Sequence, residues 1–443
     1  MGSGVWFAEV QGAERGAAGQ ETAERVNWSG NYTYSAGRLL APATVPELRE
    51  MLAGDGRIKA LGARHSFNGI ADSTGAQVSL EHLDEMVLDR AAGTVTVGAG
   101  MRYGRLAPFL EREGFALHNL ASLPHVTVVG ACATATHGSG IGNGVLSAAV
   151  TGIEMVVADG SVVALSRASD GERFSAAVVG LGALGVVTRL TLEVQPTFRM
   201  TQVVYEDLSF GELERNFDAI FASGYSVSLF TDWQQHRAKQ VWVKSRWEDG
   251  KAGGGPMKPE IFGATAATRQ RHMLAGHPAE NCTEQMGVPG PWYERMPHFR
   301  MGYVPSSGAE LQAEYFVARE TGYEAILALE ELRDQMAPYL LISELRTVAA
   351  DDLWMSMAYG RDSMAIHFTW RPEWEAVAGL LPLIEAKLAP FGARPHWAKL
   401  FAMDAKRLLS VYPRMEEFRA MVRESDPEGK FRNAFLDRSL LAL

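Results

Sequence analysis

The chain has 443 residues, 47% hydrophobic and 21% charged, the balance of a folded protein too long for one ordinary core. Its 42 basic and 52 acidic residues give a net charge of -10, which excludes the basic footprint of a nucleic-acid or anionic-membrane binder. Two cysteines, Cys132 and Cys282, exclude a disulfide framework and a CxxC zinc site, and fit a reducing cytoplasm.

Residues 1–26 carry scattered glycine and glutamate but no long apolar run, and read as a loose tail rather than a signal peptide. No stretch reaches the roughly eighteen consecutive apolar residues of a membrane span. Sequons at Asn27, Asn31 and Asn281 carry no weight without export. An apolar strand then breaks at Gly62 and delivers Ala63-Arg64-His65-Ser66-Phe67-Asn68 onto a tight turn. Gly62 and Ala63 let the backbone approach a ligand, Ser66 offers a hydroxyl, and successive N–H groups make an anion-binding concavity. The His65 imidazole is thus either an ordinary surface side chain or the contact of a phosphate-bearing cofactor.

Residues 94–97 read as a strand and 103–113 as an amphipathic helix stopped by Gly114. From Ser122 to Gly140 the chain is a long run of small residues and hydroxyls, either a plain loop or close packing around something flat and polar. Asp159-Gly160 between two β-branched runs predicts a hairpin over 153–165. Gly180 to Gly185 matches GxGxxG letter for letter. That fingerprint must open a helix, whereas the β-formers of 186–194 follow, so a dinucleotide fold is rejected.

Beyond Pro196 come a Trp-rich strand over 240–247, a Gly/Pro-rich loop over 250–259, a helix over 323–336, strands over 340–347 and 364–370, and a helix over 373–388. The two-residue period puts Glu344 and Arg346 on one strand face, and His367 and Thr369 on one face of the next. Such paired polar groups mark a solvated sheet face or a buried polar site.

The segments 62–68, 121–140, 343–347, 367–369 and 393–399, with further matches at 281–285, 305–312 and 426–433, resemble the vanillyl-alcohol-oxidase (p-cresol-methylhydroxylase-type) flavoproteins. Within them the likeness is to the sugar-alcohol oxidases, and it extends over nearly the whole chain from Asn27. The resemblance implies an α+β, two-domain fold: an FAD-binding domain of small mixed sheets with helices over 27–197, a substrate domain with an antiparallel sheet flanked by helices over 198–420, and a segment 421–443 that returns to the first. It implies FAD joined covalently to the His65 imidazole through the 8α-methyl. Cofactor contacts would come from Gly62, Ala63, Arg64, Ser66, Phe67, Ser122, Thr127, Gly130, Thr134, Ala135, Thr136, His137, Gly138, Gly185, Val187 and His396. Ala63-Arg64 stands where relatives often carry Ser-Gly, a departure that touches phosphate binding and leaves the linkage intact.

For catalysis the resemblance implies Arg346 and Lys399 as the fixed positive charge for a developing alkoxide, Lys399 on resemblance alone. Glu344 would bind substrate hydroxyls and hold Arg346, His367 would accept the proton, and Ser122 and Thr369 would bond the remaining hydroxyls. The expected reaction is oxidation of the terminal primary hydroxyl of a polyol such as xylitol or sorbitol, with O2 reduced to H2O2 and small Ala121 leaving oxygen its route. No metal, nucleic acid or membrane partner is expected, and the expected state is a cytoplasmic monomer. An aldonolactone oxidoreductase of the same fold and a non-catalytic flavin-binding protein are the alternatives.

Overall fold

The fold begins with three short parallel strands in the order Arg38–Leu40, Ala76–Ser79, Ile58–Leu61. Helix Val45–Ala53 connects the first and last of these; the Thr44 hydroxyl accepts from the Glu47 N–H, and a proline sits in the first turn, where a missing donor costs nothing. The computed structural model describes residues 25–54, 56–247, 257–303 and 310–441, so the tail over 1–26 and the loop over 250–259 fall largely outside the described residues.

A five-stranded antiparallel sheet follows, ordered Met86–Asp89, Thr94–Gly98, Val186–Glu193, Val150–Val156, Val162–Ser166. The expected strand, amphipathic helix (Tyr103–Arg112) and hairpin all form, the hairpin turning at Gly160 with φ 81°. Gly180 to Gly185 is a turn with Leu181 and Gly182 left-handed (φ 52° and 62°), and it feeds a strand, so no helix N-terminus forms there to hold a pyrophosphate.

The second half is a ten-stranded sheet whose centre runs Arg199–Ser209, Arg237–Trp247, Ser226–Thr231, Leu340–Val348, Ser363–Trp370, Leu311–Ala318, every pair antiparallel. Met364, Ile366, Phe368 and Trp370 share one face and are fully buried; helices Phe210–Phe221, Gly322–Glu330 and Trp374–Leu388 pack against these strands. His367 and Thr369 point the other way. The expected helix over 323–336 is two helices, Gly322–Glu330 and Arg333–Met336, because the chain tightens to an i→i+3 bond between Leu332 N–H and Leu329 O that turns Leu332 into the core.

The last segment packs on the first half. Lys430 O accepts from Ile58 N–H at 2.8 Å, and the Asn433 amide donates to Gly69 O, Ile70 O and Asp72 O at 3.1, 3.0 and 2.8 Å. The architecture is α+β. Among the described residues no helix is long and apolar enough to cross a membrane.

Candidate active site

The end of strand Ile58–Leu61 and the turn after it form one wall of a cavity of about 1050 Å³. The turn is clamped from residues 27–31. Trp28 N–H donates to Arg64 O (2.8 Å), the Asn27 amide to Ser66 O (2.9 Å) and the Asn31 amide to Phe67 O (2.9 Å), while the Trp28 ring lies 4.4 Å from that of His65. These bonds hold Arg64 at φ 59°, the left-handed region where a non-glycine costs roughly 1 kcal/mol or more. The departure from Ser-Gly therefore falls on a backbone position that favours glycine. His65 Nδ1 is 3.2 Å from His125 Nε2. Burial against the cavity wall, then His125 and Lys399, push the His65 pKa down to about 3, so the ring is neutral.

The small-residue run supplies the next wall. It is not an open loop: Val128–Ala133 is a short helix, because Val128, Ala131 and Cys132 turn inward to the core. A Cβ on Gly62 or on Gly130 would meet Thr127 Oγ1 at 2.7 Å, so a side chain at either position would force the Thr127 hydroxyl to move. His65, Gly62, Ala63, Arg64, Ser66, Ala121, Ser122, Thr127, Gly130, Thr134, Thr136, His137, Gly185, Val187 and His396 all line the cavity. Phe67, Ala135 and Gly138 do not; they are buried behind the lining, Phe67 under His65 and Gly138 against Asn119.

The floor is the sheet. Register sets Glu314, His367 and Glu344 side by side across three strands, with Gln312 and Thr369 paired in the adjoining row. Glu344 and Arg346 are 5% exposed and His367 and Thr369 are 7% exposed, which excludes the solvated-face reading. Glu314, which sequence reasoning missed, is the hub: its carboxylate lies 2.6 Å from Arg346, 2.9 Å from Lys399 Nζ and 3.2 Å from His137 Nε2. Its signal was present, because Gln312 and Glu314 alternate with Leu311, Ala313 and Tyr315 as the other polar pairs do. Burial alone would raise the Glu314 pKa, yet Lys399, Arg346 and His137 together hold it well below the carboxylate range.

Glu344, expected to hold Arg346, forms an ion pair with its Nε at 3.6 Å, longer than a hydrogen bond, and also accepts from His298 Nε2 at 2.7 Å. Burial opposes its ionisation too, and Arg346 and His298 outweigh it. Burial, with Lys399 beside it, keeps His367 well below its ordinary value. Its Nε2 has no hydrogen-bond partner among the described residues. His137, Glu314 and His396 bring three possible ligand atoms within 4.8 Å of one another, but the two cations already on Glu314 would repel a metal ion.

A flavin dinucleotide fits this cavity on three grounds: its volume, its close-packed small-residue wall, and a buried cation that is only partly compensated, by the charge of Asp426. Lys59, 1% exposed in the lining, donates among the described residues to Gly182 O (2.8 Å) and Leu181 O (3.3 Å), and burial lowers its pKa to about 7, a cost that a phosphate would relieve.

Comparison with known proteins agrees. Residues 39–166 match the FAD binding domain family and residues 309–439 the D-arabinono-1,4-lactone oxidase family. The chain shares its fold with a cholesterol oxidase from B. sterolicum (TM-score 0.74, 16% identity, 94% of this chain and 96% of that one). Fold, cavity and sequence matches together define an FAD-dependent oxidoreductase of the vanillyl-alcohol-oxidase type. An alditol oxidase from Streptomyces sp. is 47% identical over 94% of this chain and 98% of its own length; an L-gulono-1,4-lactone dehydrogenase from Mycobacterium tuberculosis is 28% identical with the same coverage. The chain belongs to the alditol-oxidase family of these flavoproteins.

Proposed function

We propose that the chain carries FAD covalently on His65 and oxidises the terminal primary hydroxyl of an acyclic polyol such as xylitol or sorbitol to the aldehyde, reducing O2 to H2O2. The observation that carries this reading is the buried row Glu314, His367, Glu344 with Arg346 and Lys399, facing the same cavity as His65. Bound FAD supplies the sink for the hydride leaving the carbinol carbon and passes its electrons to O2. Everything else falls to the side chains. Arg346 and Lys399 present fixed positive charge to the developing alkoxide in a site shielded from water, where it is worth most. His367, neutral and with a vacant Nε2, accepts the hydroxyl proton.

Glu344, Thr369, Ser122 and Gln312 line the cavity as partners for the other hydroxyls. A buried polar group without a partner costs about 1–3 kcal/mol, so this lining favours a substrate with many hydroxyls over an apolar alcohol. Ala121 beside Ser122 keeps the wall low for O2. The match of 309–439 to a lactone oxidase family favours a second reading, a sugar lactone as substrate, but the lactone relative is the more distant at 28% against 47%. Two buried free thiols, Cys132 and Cys282, support a reducing cytoplasm.

Xylitol or sorbitol turnover is expected to yield one H2O2 per aldehyde, and Arg346→Met should lower kcat by about 10²–10³-fold. Oxidation of a lactone with no polyol turnover would overturn the assignment. Flavin should stay with acid-precipitated wild type and be released from His65→Ala; release from both would refute the linkage.

A further inference from the structure

We propose that His298 and Lys244 are positioning residues which fix Glu344 as an acceptor with one oxygen presented to the cavity, and thereby set the site's affinity for a polyol. The proposal rests on the reading that Glu344 binds substrate hydroxyls. Lys244 lies on strand Arg237–Trp247 and is 1% exposed. Its Nζ sits 2.5 Å from Met296 O, 3.1 Å from Pro297 O and 3.1 Å from His298 Nδ1.

Glu344 is held ionised and can only accept, so His298 Nε2, 2.7 Å from its Oε1, carries the imidazole proton and Nδ1 is left as an acceptor. Burial lowers the Lys244 pKa to about 7, yet two carbonyls and this lone pair around Nζ are a set that only the three donors of the ammonium satisfy. The opposite tautomer would set a lone pair against a carboxylate at that distance. Burial, then Lys244, hold the His298 pKa at about 4, so the ring stays neutral and the tautomer stays fixed. Glu344 Oε1 is therefore committed. Oε2, at 3.6 Å from Arg346 Nε, lies beyond hydrogen-bond reach of the guanidinium and is left for a hydroxyl. With the His298 bond gone, the carboxylate is free to rotate about its own side chain, and the acceptor is no longer held toward the cavity.

The structure thus assigns a binding role to a histidine and a lysine that bond the acceptor from behind. Steady-state kinetics with xylitol on the flavin-loaded enzyme test it. His298→Ala should raise KM about tenfold or more with kcat held within about threefold, and His298→Gln, whose amide can donate to the same oxygen, should return KM to within about threefold of wild type. Lys244→Met, which frees the tautomer, should raise KM by about threefold or more, and it carries the test alone if His298→Ala is not recovered folded. Wild type unable to oxidise xylitol would fault the underlying functional reading. Active wild type with KM unchanged in the variants, or alanine and glutamine variants equally impaired, would overturn the positioning role.

Discussion

Lys59 shows how one residue reports on a ligand. Its ammonium is buried, donates to two carbonyls and has a pKa lowered to about 7 by burial. In the unfolded chain a lysine titrates near about 10.4. Between about pH 7 and about 10.4 the unfolded chain therefore binds more protons than the folded one, so flavin-free protein should gain stability as pH rises through that window, and the penalty is fully present below it. At about 1.36 kcal/mol per unit the penalty is at most a few kcal/mol. Lys59→Met should raise the thermal midpoint of flavin-free protein at pH 7 and flatten its rise toward pH 10, while weakening retention of FAD. A midpoint that falls in the variant would mean that Lys59 is already compensated without a cofactor.

Among the strands, three adjacent ones, Leu340–Val348, Ser363–Trp370 and Leu311–Ala318, carry the chemistry because a sheet converts sequence alternation into rows. Glu314 neutralises part of the charge of Arg346, two strands away, and of Lys399, and breaking a buried pair by removing one partner costs about 3–5 kcal/mol. Glu314→Gln should lower the thermal midpoint by several degrees and kcat by tenfold or more, about 1.4 kcal/mol in the barrier. A midpoint within a degree of wild type would show that the hub is not structural. Alternation made the polar pairs of 344/346 and 367/369 legible, and the same rule covers Gln312 and Glu314, although the strand holding them was not singled out. The pairing order was not legible, because period two says which face a side chain takes and nothing about which strand lies next to it. His298 sits in an irregular stretch with no period to read. Asn27 and Asn31 carried only a sequon pattern, whereas their amides are hydrogen-bonded to the His65 turn.

For the molecule as a whole, the cavity exists because distant segments are tied together at a few points. Asn68 is the clearest: its buried amide donates to Trp397 O at 2.9 Å and to Lys399 O at 2.7 Å, 329 and 331 positions along the chain, and Phe67 N–H donates to Ala398 O beside them. The turn that presents His65 is thereby locked to the segment that presents Lys399, so cofactor wall and catalytic charge share one frame. Asn68→Ala leaves two buried carbonyls unpaired, at about 1–3 kcal/mol each. The turn keeps its other clamp from Asn27 and Asn31, while the lysine segment loses two of its three bonds to the turn and keeps the one from Phe67 N–H to Ala398 O. Flavin content should therefore stay near that of wild type while kcat falls about tenfold, since small misplacements of a charge are costly in rate. If flavin content and kcat fell in proportion, Asn68 would brace the fold as a whole, and the registration of Lys399 against the cofactor wall would depend on other contacts.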